Sequence, residues 1–257
     1  MGRTIESGEW LRILRSEATP RHHLLCFPAG GGPASAYREL AQHVGAGIAV
    51  AAVQYPGRQD RLAEAPITEL DALAERIAEE VLRHGFIDRL ALFGHSMGAT
   101  VAFETARRLE RGGQAVTTVF VSGRPAPTFV ETQRLHLGTD DDLIGDLERL
   151  SADPAPIQML RDEPSLAELV LPAVRSDYQA VETYRYTPGA PLAADIAALV
   201  SSDDPTMTPD QADEWAAFTS GTFDRATFSG GHFYIDERPA EVAECITAHL
   251  TGDRTRA

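Results

Sequence analysis

Short apolar runs recur along the chain and end near glycine, proline or small polar residues. Five of them cover residues 23–27, 48–55, 90–93, 117–122 and 196–201. Near-continuous apolar runs of this length are typical of strands in a parallel sheet that is buried on both faces. The pattern therefore predicts a mostly parallel sheet that contains these five strands.

Amphipathic helical patterns lie between the apolar runs. Residues 69–84 carry apolar positions at i, i+3, i+4 and i+7 spacing, and Thr68 is the expected N-cap. Residues 97–111 directly follow the third run, and Pro239 begins a last helical pattern over 239–250. Strands that alternate with helices indicate βαβ units. The predicted fold class is α/β, with a mostly parallel central sheet flanked by helices.

One stretch departs from this alternation. From about residue 125 to 190 there is no convincing strand, but three helical patterns cover 140–150, 165–174 and 177–184. We expect a helical insertion in a single domain that spans 1–257. Insertions of this kind commonly cover a site. The other interpretation is a plain helical layer on the sheet.

Composition and charge exclude several classes of function. The 257 residues are 43% hydrophobic and 24% charged, as in a soluble globular protein. We expect no membrane span, no secretory signal and a cytoplasmic location, because no apolar run is long enough for either segment. The net charge of −15 argues against binding to nucleic acid or to anionic membranes. All 23 basic residues are arginine, which excludes a Walker A loop and a catalytic lysine.

Cysteine and most of the histidines carry little functional signal. Cys26 and Cys245 are too few for a disulfide framework, and both are expected to be reduced and buried. No metal site is expected, because metal-ligand spacing is absent from six of the histidines: His22, His23, His43, His84, His136 and His249.

The sharpest local motif is Gly94-His95-Ser96-Met97-Gly98, which fits G-x-S-x-G. It lies between a predicted strand and a predicted helix. Such a strand-to-helix turn exposes the serine hydroxyl at the carboxyl edge of the sheet. The N–H groups at the start of the helix would face any negative charge that develops there. So short a motif also arises by chance, but its position in the chain favours a nucleophile at Ser96.

A serine hydroxyl needs a base, and after such a turn the acid and the histidine follow in that order. His232 lies on a Gly-Gly loop before the last helix and is the expected base. Asp203 and Asp204 follow the fifth predicted strand and compete for the role of the acid. We favour Asp204, because a residue before proline, here Pro205, is extended and projects from the turn. Asp203 is expected to cap that turn.

An acyl-transfer site also needs two N–H donors for the oxyanion. The N–H of Met97 is the first, and the glycine-rich loop 27–33 should supply the second. Ala29 is our choice within that loop, and Gly30 is the next candidate. A dinucleotide fingerprint is the rival interpretation of the loop. It fails because Ser35 stands where the third glycine belongs.

Three residues near these motifs have less certain roles. Arg58 and Arg61 follow the second predicted strand. They form either local salt bridges and caps or contacts with an anionic group at the mouth of the site. His95 is expected to pack against the turn and to take no part in the chemistry.

Taken in order, these motifs resemble the stand-alone type II thioesterases of polyketide and nonribosomal peptide synthesis. The resemblance spans about residues 10–250 and rests on these segments: Cys26-Phe27-Pro28 with the glycine run, Gln54-Tyr55-Pro56-Gly57-Arg58, Gly94–Gly98, Ser202-Asp203-Asp204-Pro205 and Gly230-Gly231-His232-Phe233. The insertion adds Leu135-His136, Leu171-Pro172, Asp177-Tyr178 and Tyr184-Arg185-Tyr186. One departure is the first loop, where family members often carry a histidine or an aromatic residue before Ala-Gly-Gly. The choice between Ala29 and Gly30 therefore stays open.

The resemblance implies an α/β-hydrolase fold with a helical lid and a triad of Ser96, Asp204 and His232. It implies hydrolysis of acyl thioesters held on the phosphopantetheine arm of acyl or peptidyl carrier proteins, as an editing step. No cofactor is implied, because the pantetheine belongs to the substrate. Carrier proteins are typically acidic, and so is this chain, so docking would need a local basic or apolar patch. We expect a monomer.

Other functions could use the same residues. A carboxylesterase or lipase would attack free oxygen esters, and an acyltransferase would pass the acyl group to an alcohol or amine. A binding module that kept the fold without activity is a third alternative, and the intact set of triad residues argues against it. Product analysis and a preference for carrier-bound over free esters would separate the enzymes.

Overall fold

The computed structural model describes residues 5–85 and 87–252. Their strands form one sheet in the order β1-β3-β2-β4-β5-β6-β7. The strands are β1 (Leu11–Arg15), β2 (His22–Phe27), β3 (Ile48–Val53), β4 (Leu90–His95), β5 (Val116–Ser122), β6 (Asp195–Ser201) and β7 (Phe223–Phe228). β1 runs antiparallel to β3, and every other neighbouring pair is parallel. The predicted α/β class with a mostly parallel sheet is confirmed.

Helices cover both faces of this sheet. They are α1 (Arg38–His43), α2 (Leu70–Arg83), α3 (Met97–Arg111), α4 (Asp140–Leu150), α5 (Ala155–Asp162), α6 (Pro164–Thr183), α7 (Pro209–Asp213), α8 (Tyr234–Glu237) and α9 (Pro239–Thr251). Short 3₁₀ turns cover Ala34–Tyr37, Gln59–Arg61, Leu135–Leu137 and Glu214–Phe218. Leu25 and Leu92 point into a core that α2 and α3 cover, while Leu24 and Phe93 point into a core with α1 and α9. Burial on both faces explains the continuous apolar runs.

The two strands that the apolar pattern missed are β1 and β7. β1 (LRILR) and β7 (FDRATF) lie at the two edges of the sheet, and most of their residues are only partly buried or exposed. A strand that is open to solvent on one side keeps its polar side chains, including arginine. Neither sequence therefore contains a continuous apolar run.

The helices differ from the predictions in three places. α6 is one helix of 20 residues, not two, and Pro172 lies inside it. α5 was not predicted, although Pro156 lies in its first turn, where a proline is well tolerated. The prediction of Thr68 as the N-cap of α2 is wrong, because Glu69 is the extended residue before Leu70 and its side chain makes no capping bond.

The residues between β5 and β6 contain α4, α5 and α6, and we call residues 125–190 the helical segment. Three of its apolar side chains, Ile144, Leu160 and Leu171, form a small buried cluster of their own. Ala180 of α6 belongs to the larger core beside α2 and α3. The helical segment is thus attached to the sheet mainly through the second half of α6. None of the described helices is long and apolar enough to cross a membrane.

Both cysteines are free thiols, but their environments differ. Cys26 is buried in β2, as predicted, whereas Cys245 in α9 is only partly buried, so the prediction of a buried Cys245 is wrong. Burial raises the pKa of the Cys245 thiol to about 11 and that of Cys26 further still.

Candidate active site

Ser96 occupies a strained turn between β4 and α3, as the motif predicts. Its φ of 53° and ψ of −123° are rare for a residue with a side chain. Two glycines permit the turn. A Cβ on Gly94 would overlap the carbonyl of Gly98, and one on Gly98 would overlap the carbonyl of Phe27. The absence of side chains at both positions lets β2, β4 and the start of α3 approach one another at the carboxyl edge of the sheet.

His232 and Asp204 meet at the same edge of the sheet. Asp204 follows β6 and His232 follows β7. The Nδ1 atom of His232 lies 2.9 Å from Oδ2 and 3.0 Å from Oδ1 of Asp204. Both side chains are almost completely buried. Asp203, the other candidate for the acid, instead accepts a hydrogen bond from Ser202 and is exposed to solvent.

Thr206 holds Asp204 in this orientation. Its backbone N–H and its hydroxyl donate to Oδ1 of Asp204 at 2.8 and 2.7 Å. Burial raises the pKa of Asp204, but hydrogen bonds from His232 and Thr206 outweigh burial, so the pKa lies below its usual value. The carboxylate is therefore ionised at neutral pH and fixes the Nδ1–H tautomer of His232. The other ring nitrogen, Nε2, is buried and has no hydrogen-bond partner among the described residues.

A cavity of about 290 Å³ connects these groups. Ser96, Met97, His232 and both candidates for the second donor, Ala29 and Gly30, line it. The helical segment forms much of the remaining wall through Phe129, Glu131, Thr132, Gln133, Asp146, Leu147, Arg149, Leu150, Asp177, Tyr178, Val181 and Glu182. A serine hydroxyl, an imidazole and the backbone of the candidate donors, the kinds of group that acyl transfer needs, thus line one cavity.

His95 packs against His232 and does not line this cavity. It is completely buried, and its Nδ1 lies 2.9 Å from the hydroxyl of Ser122, which in turn lies 2.6 Å from the hydroxyl of Tyr234. The rings of His95 and His232 are 4.8 Å apart. Burial, followed by the charge of His232, lowers the pKa of His95 well below its usual value. His95 is therefore a neutral packing partner of His232, as expected.

Comparison with known proteins identifies the family. Residues 22–250 match the thioesterase domain. A probable cadicidin biosynthesis thioesterase from Streptomyces griseus is 38% identical over 250 residues, which are 96% of this chain and 68% of the relative. Thioesterase PikA5 from Streptomyces venezuelae is 38% identical over 247 residues, which are 96% of this chain and 87% of the relative. The chain belongs to the thioesterase family.

Solved structures agree with this assignment. The type II thioesterase BorB, from the borrelidin biosynthetic cluster, superposes with a TM-score of 0.83 at 42% identity and covers 96% of this chain and 98% of its own. The type II thioesterase YbtT, from the yersiniabactin pathway, gives a TM-score of 0.85 at 30% identity over 95% and 98% of the two chains. The fold is therefore that of the α/β-hydrolases, and the chain is a hydrolase that acts on thioesters.

Both arginines with uncertain roles form internal ion pairs in this thioesterase. Arg58 makes two contacts with Asp177 of α6, and Arg61 pairs with Glu64 and donates to the carbonyl of Gln54. The interpretation as local salt bridges is confirmed for Arg61. For Arg58 the partner is 119 residues away in the sequence, so no local pattern could have indicated it. Sequence reasoning also missed the contact of Thr206 with Asp204. The one signal that could have indicated it is the Asp-Pro turn directly before Thr206.

A second, more apolar cavity of about 500 Å³ adjoins the first. Ala29, Gly30, Leu147 and Phe233 line both cavities. The second cavity is walled by side chains of the core loops and of the helical segment, among them Tyr37, Ile157, Leu160, Val170, Val174 and Ile235. Space for an extended apolar group thus lies beside the loop that carries the candidate donors.

Proposed function

We propose that this thioesterase hydrolyses acyl groups held as thioesters on the phosphopantetheine arm of acyl or peptidyl carrier proteins, and that it clears stalled or wrong acyl units during polyketide or nonribosomal peptide synthesis. The buried His232–Asp204 pair beside the cavity that Ser96 lines is the observation that carries the chemistry. The relatives from antibiotic pathways support the choice of substrate. In this proposal the enzyme is a cytoplasmic monomer.

The proposed mechanism proceeds through an acyl-enzyme. Oγ of Ser96 attacks the thioester carbonyl while Nε2 of His232 takes its proton. The resulting oxyanion accepts hydrogen bonds from the N–H groups of Met97 and Ala29. The carbon–sulfur bond then breaks, and the imidazolium of His232 returns the proton to the departing pantetheine sulfur. In the second half, Nε2 of His232 takes a proton from a water molecule, whose oxygen attacks the acyl-serine carbonyl. The bond between the acyl carbon and Oγ of Ser96 then breaks, the imidazolium returns the proton to Oγ, and the carboxylic acid departs.

Access and positioning dominate this reaction, because a thiolate leaves more readily than an alkoxide or an amine. Each oxyanion donor contributes on the order of 2.7–4 kcal/mol to the transition state in hydrolases of this type. The helical segment acts as a lid in this proposal, since it forms so much of the wall around Ser96. Specificity would then reside in the lid and in the two cavities, and the triad itself would accept many acyl groups.

Release of an acyl group from a loaded carrier protein tests this proposal. The carrier is followed by intact-protein mass spectrometry with wild type, Ser96→Ala and Ser220→Ala, which alters a serine at the opposite, amino end of the strands. We expect free-thiol carrier and free acid from wild type and Ser220→Ala, and a carrier that stays loaded with Ser96→Ala.

A free oxygen ester at equal concentration separates the alternatives. An enzyme that cleaves the free ester but leaves the carrier loaded would be an esterase, and the carrier would be dropped as a partner. Transfer of the acyl group to an added alcohol or amine, with little free acid, would indicate an acyltransferase.

A further inference from the structure

Asp177 of α6 binds the loop that carries the candidate oxyanion donors. Its Oδ2 accepts a hydrogen bond of 2.7 Å from the backbone N–H of Gly31. The guanidinium of Arg58 donates two hydrogen bonds to the same carboxylate, from Nη1 to Oδ2 at 2.5 Å and from Nη2 to Oδ1 at 2.9 Å. The side chain of Asp177 is 2% exposed and that of Arg58 is 7% exposed. Two strong donors and one backbone donor thus converge on one buried carboxylate.

The loop has a tight conformation that this carboxylate can stabilise. The N–H of Gly32 donates to the carbonyl of Ala29 at 2.9 Å, so residues 29–32 form a closed turn with Gly31 inside it. Gly31 has a φ of +76°, and a Cβ there would lie 2.8 Å from Cγ2 of Val174. The N–H of Gly31 therefore points at α6, and Asp177 holds it there. Ala29 is the first residue of this turn, so the contact of Asp177 acts on the backbone beside the candidate donor.

Contacts on the other flank of the loop come from the sheet core. The hydroxyl of Tyr55 donates to the carbonyl of Pro28 at 3.2 Å, and that of Tyr37 donates to the carbonyl of Phe27 at 2.7 Å. Arg58 reaches the carbonyl of Gly32 at 3.4 Å. The peptide group between Pro28 and Ala29, which carries the Ala29 N–H, is thus bound by the core through its carbonyl. The glycine turn that follows it is bound by Arg58 and by Asp177 of the helical segment.

We propose that Asp177 is a positioning residue for the oxyanion hole. It holds the Ala29–Gly32 turn through the N–H of Gly31 and so couples the position of α6 to the direction of the Ala29 donor. This inference rests on the proposed function, because it requires Ala29 to bind the oxyanion. A displacement of about 1 Å in such a donor is enough to reduce turnover on the order of a hundredfold. The alternative is that the Arg58–Asp177 pair only stabilises the fold.

Asp177→Asn removes the charge while keeping the shape of the side chain. One of its two terminal atoms becomes an NH₂ donor that faces the donors of Arg58 or Gly31. We expect kcat on the acyl-carrier substrate to fall about tenfold to a hundredfold, with KM changed less than about threefold. A merely structural role leaves the kcat of the folded fraction unchanged.

Glu104→Gln is the matched control. Glu104 is a buried carboxylate on α3 that accepts hydrogen bonds from Arg107, Arg108 and the hydroxyl of Tyr184. These contacts do not involve residues 29–32. We expect Glu104→Gln to lower the melting temperature and to keep kcat within about twofold of wild type, because a buried ion pair is lost away from the loop.

A double variant separates an effect on the oxyanion hole from an effect on stability, even if Asp177→Asn folds poorly. Arg58→Met with Asp177→Leu removes both buried charges, and apolar replacement of a buried pair often preserves stability. We expect the melting temperature to return toward that of wild type while kcat stays low, because the leucine side chain offers the N–H of Gly31 no acceptor. Recovery of kcat together with the melting temperature would overturn the inference.

Binding of an alkylboronic acid reports on the oxyanion hole directly, since its tetrahedral adduct with Ser96 carries an oxygen that needs the same donors. We expect its Ki to rise for Asp177→Asn by about the factor by which kcat falls. An unchanged kcat or an unchanged Ki, in an enzyme whose wild type depends on Ser96, would overturn the role of Asp177 alone. A wild type that leaves the carrier loaded, or a Ser96→Ala variant that unloads it, would overturn the proposed function instead.

Discussion

The sheet and the helical segment are held together by different forces. Ser96 and Asp204 follow β4 and β6, which are almost entirely buried, and His232, which follows the edge strand β7, is itself buried. The helical segment has a cluster of only three buried apolar side chains. It also contributes four of the large apolar side chains that remain exposed in the described part of the chain, namely Val130, Leu137, Met159 and Leu169. Apolar burial fixes the groups proposed for the chemistry, but it does much less to fix the wall around them.

Polar contacts take a larger share in the helical segment. Arg161 of α5 joins Asp141 and Glu148 of α4, and the three side chains are partly or largely exposed. The buried Arg58–Asp177 pair is a stronger link, and it connects this segment to the loop at Ala29. The comparison indicates that burial in the sheet fixes the groups proposed for the chemistry, whereas a few ion pairs hold much of the wall around them. Each prediction below tests one side of this comparison.

Removal of the proposed nucleophile should give the largest effect. Ser96→Ala should lower turnover of an acyl-carrier thioester on the order of a million-fold, as loss of the nucleophile does in other serine hydrolases. Single-turnover release of the acyl group, with the fraction of free carrier followed over hours, measures the loss. The melting temperature should change little, because the Ser96 side chain makes no capping bond to α3. A variant that keeps one-hundredth of the wild-type rate would contradict the role of Ser96.

The two aspartates should differ sharply although they are neighbours in the chain. Asp204→Asn leaves the geometry intact but no longer fixes the Nδ1–H tautomer of His232, so kcat should fall about ten-thousandfold. Asp203→Asn should change kcat by less than about twofold, since its side chain faces solvent. Steady-state kinetics on the same carrier substrate compares the pair. If Asp203→Asn is the more damaging of the two, the assignment of the acid is wrong.

Much of the sheet and the order of the site residues could be predicted from the sequence. The five buried strands are visible as apolar runs, and the G-x-S-x-G turn and Asp204 each follow such a run. His232 was indicated instead by its Gly-Gly loop before the last helix. β1 and β7 were not predicted, because edge strands keep polar residues on the side that is open to solvent. The predicted break between residues 174 and 177 is absent, because α6 continues as one helix through this stretch, with the Ser176 hydroxyl donating to the Pro172 carbonyl at 2.8 Å.

Contacts between residues far apart in the chain could not be predicted. Asp177 lies 146 residues from Gly31, and nothing near either residue indicates their hydrogen bond. The choice between local and distant partners for Arg58 depends on where α6 crosses the loop, which is a property of the packed structure. The sequence pattern thus indicated the candidate triad, whereas the contacts that we propose to align the site became visible only in three dimensions.

Core truncations should separate the two regions by stability. Leu92 of β4 is completely buried in the large core, whereas Leu171 of α6 packs in the small cluster of the helical segment. Leu92→Ala should lower the free energy of unfolding by ~4 kcal/mol and Leu171→Ala by ~2 kcal/mol. The loss is smaller for Leu171 because the side chains of the small cluster can move into the space that the truncation leaves. Urea unfolding followed by circular dichroism measures both values. Equal losses would show that the helical segment is packed as tightly as the sheet, and the comparison would fail.

The smallest effect is expected from an exposed ion pair of the helical segment. Arg161→Gln removes the contacts of α5 with Asp141 and Glu148 of α4, but these charges are screened by water and salt. We expect the urea midpoint to move by less than about 0.3 M in 0.05 M NaCl, and the difference to vanish in 1 M NaCl. Arg76→Gln, which alters an exposed pair with Glu79 on α2, is the matched control on the sheet side and should behave in the same way. A midpoint shift for Arg161→Gln in 0.05 M NaCl that is as large as that of Leu171→Ala, and that is lost in 1 M NaCl, would mean that the exposed ion pairs hold α4 and α5 together. The wall of the active site would then depend on ionic contacts throughout, and salt would be expected to loosen it before it affects the sheet.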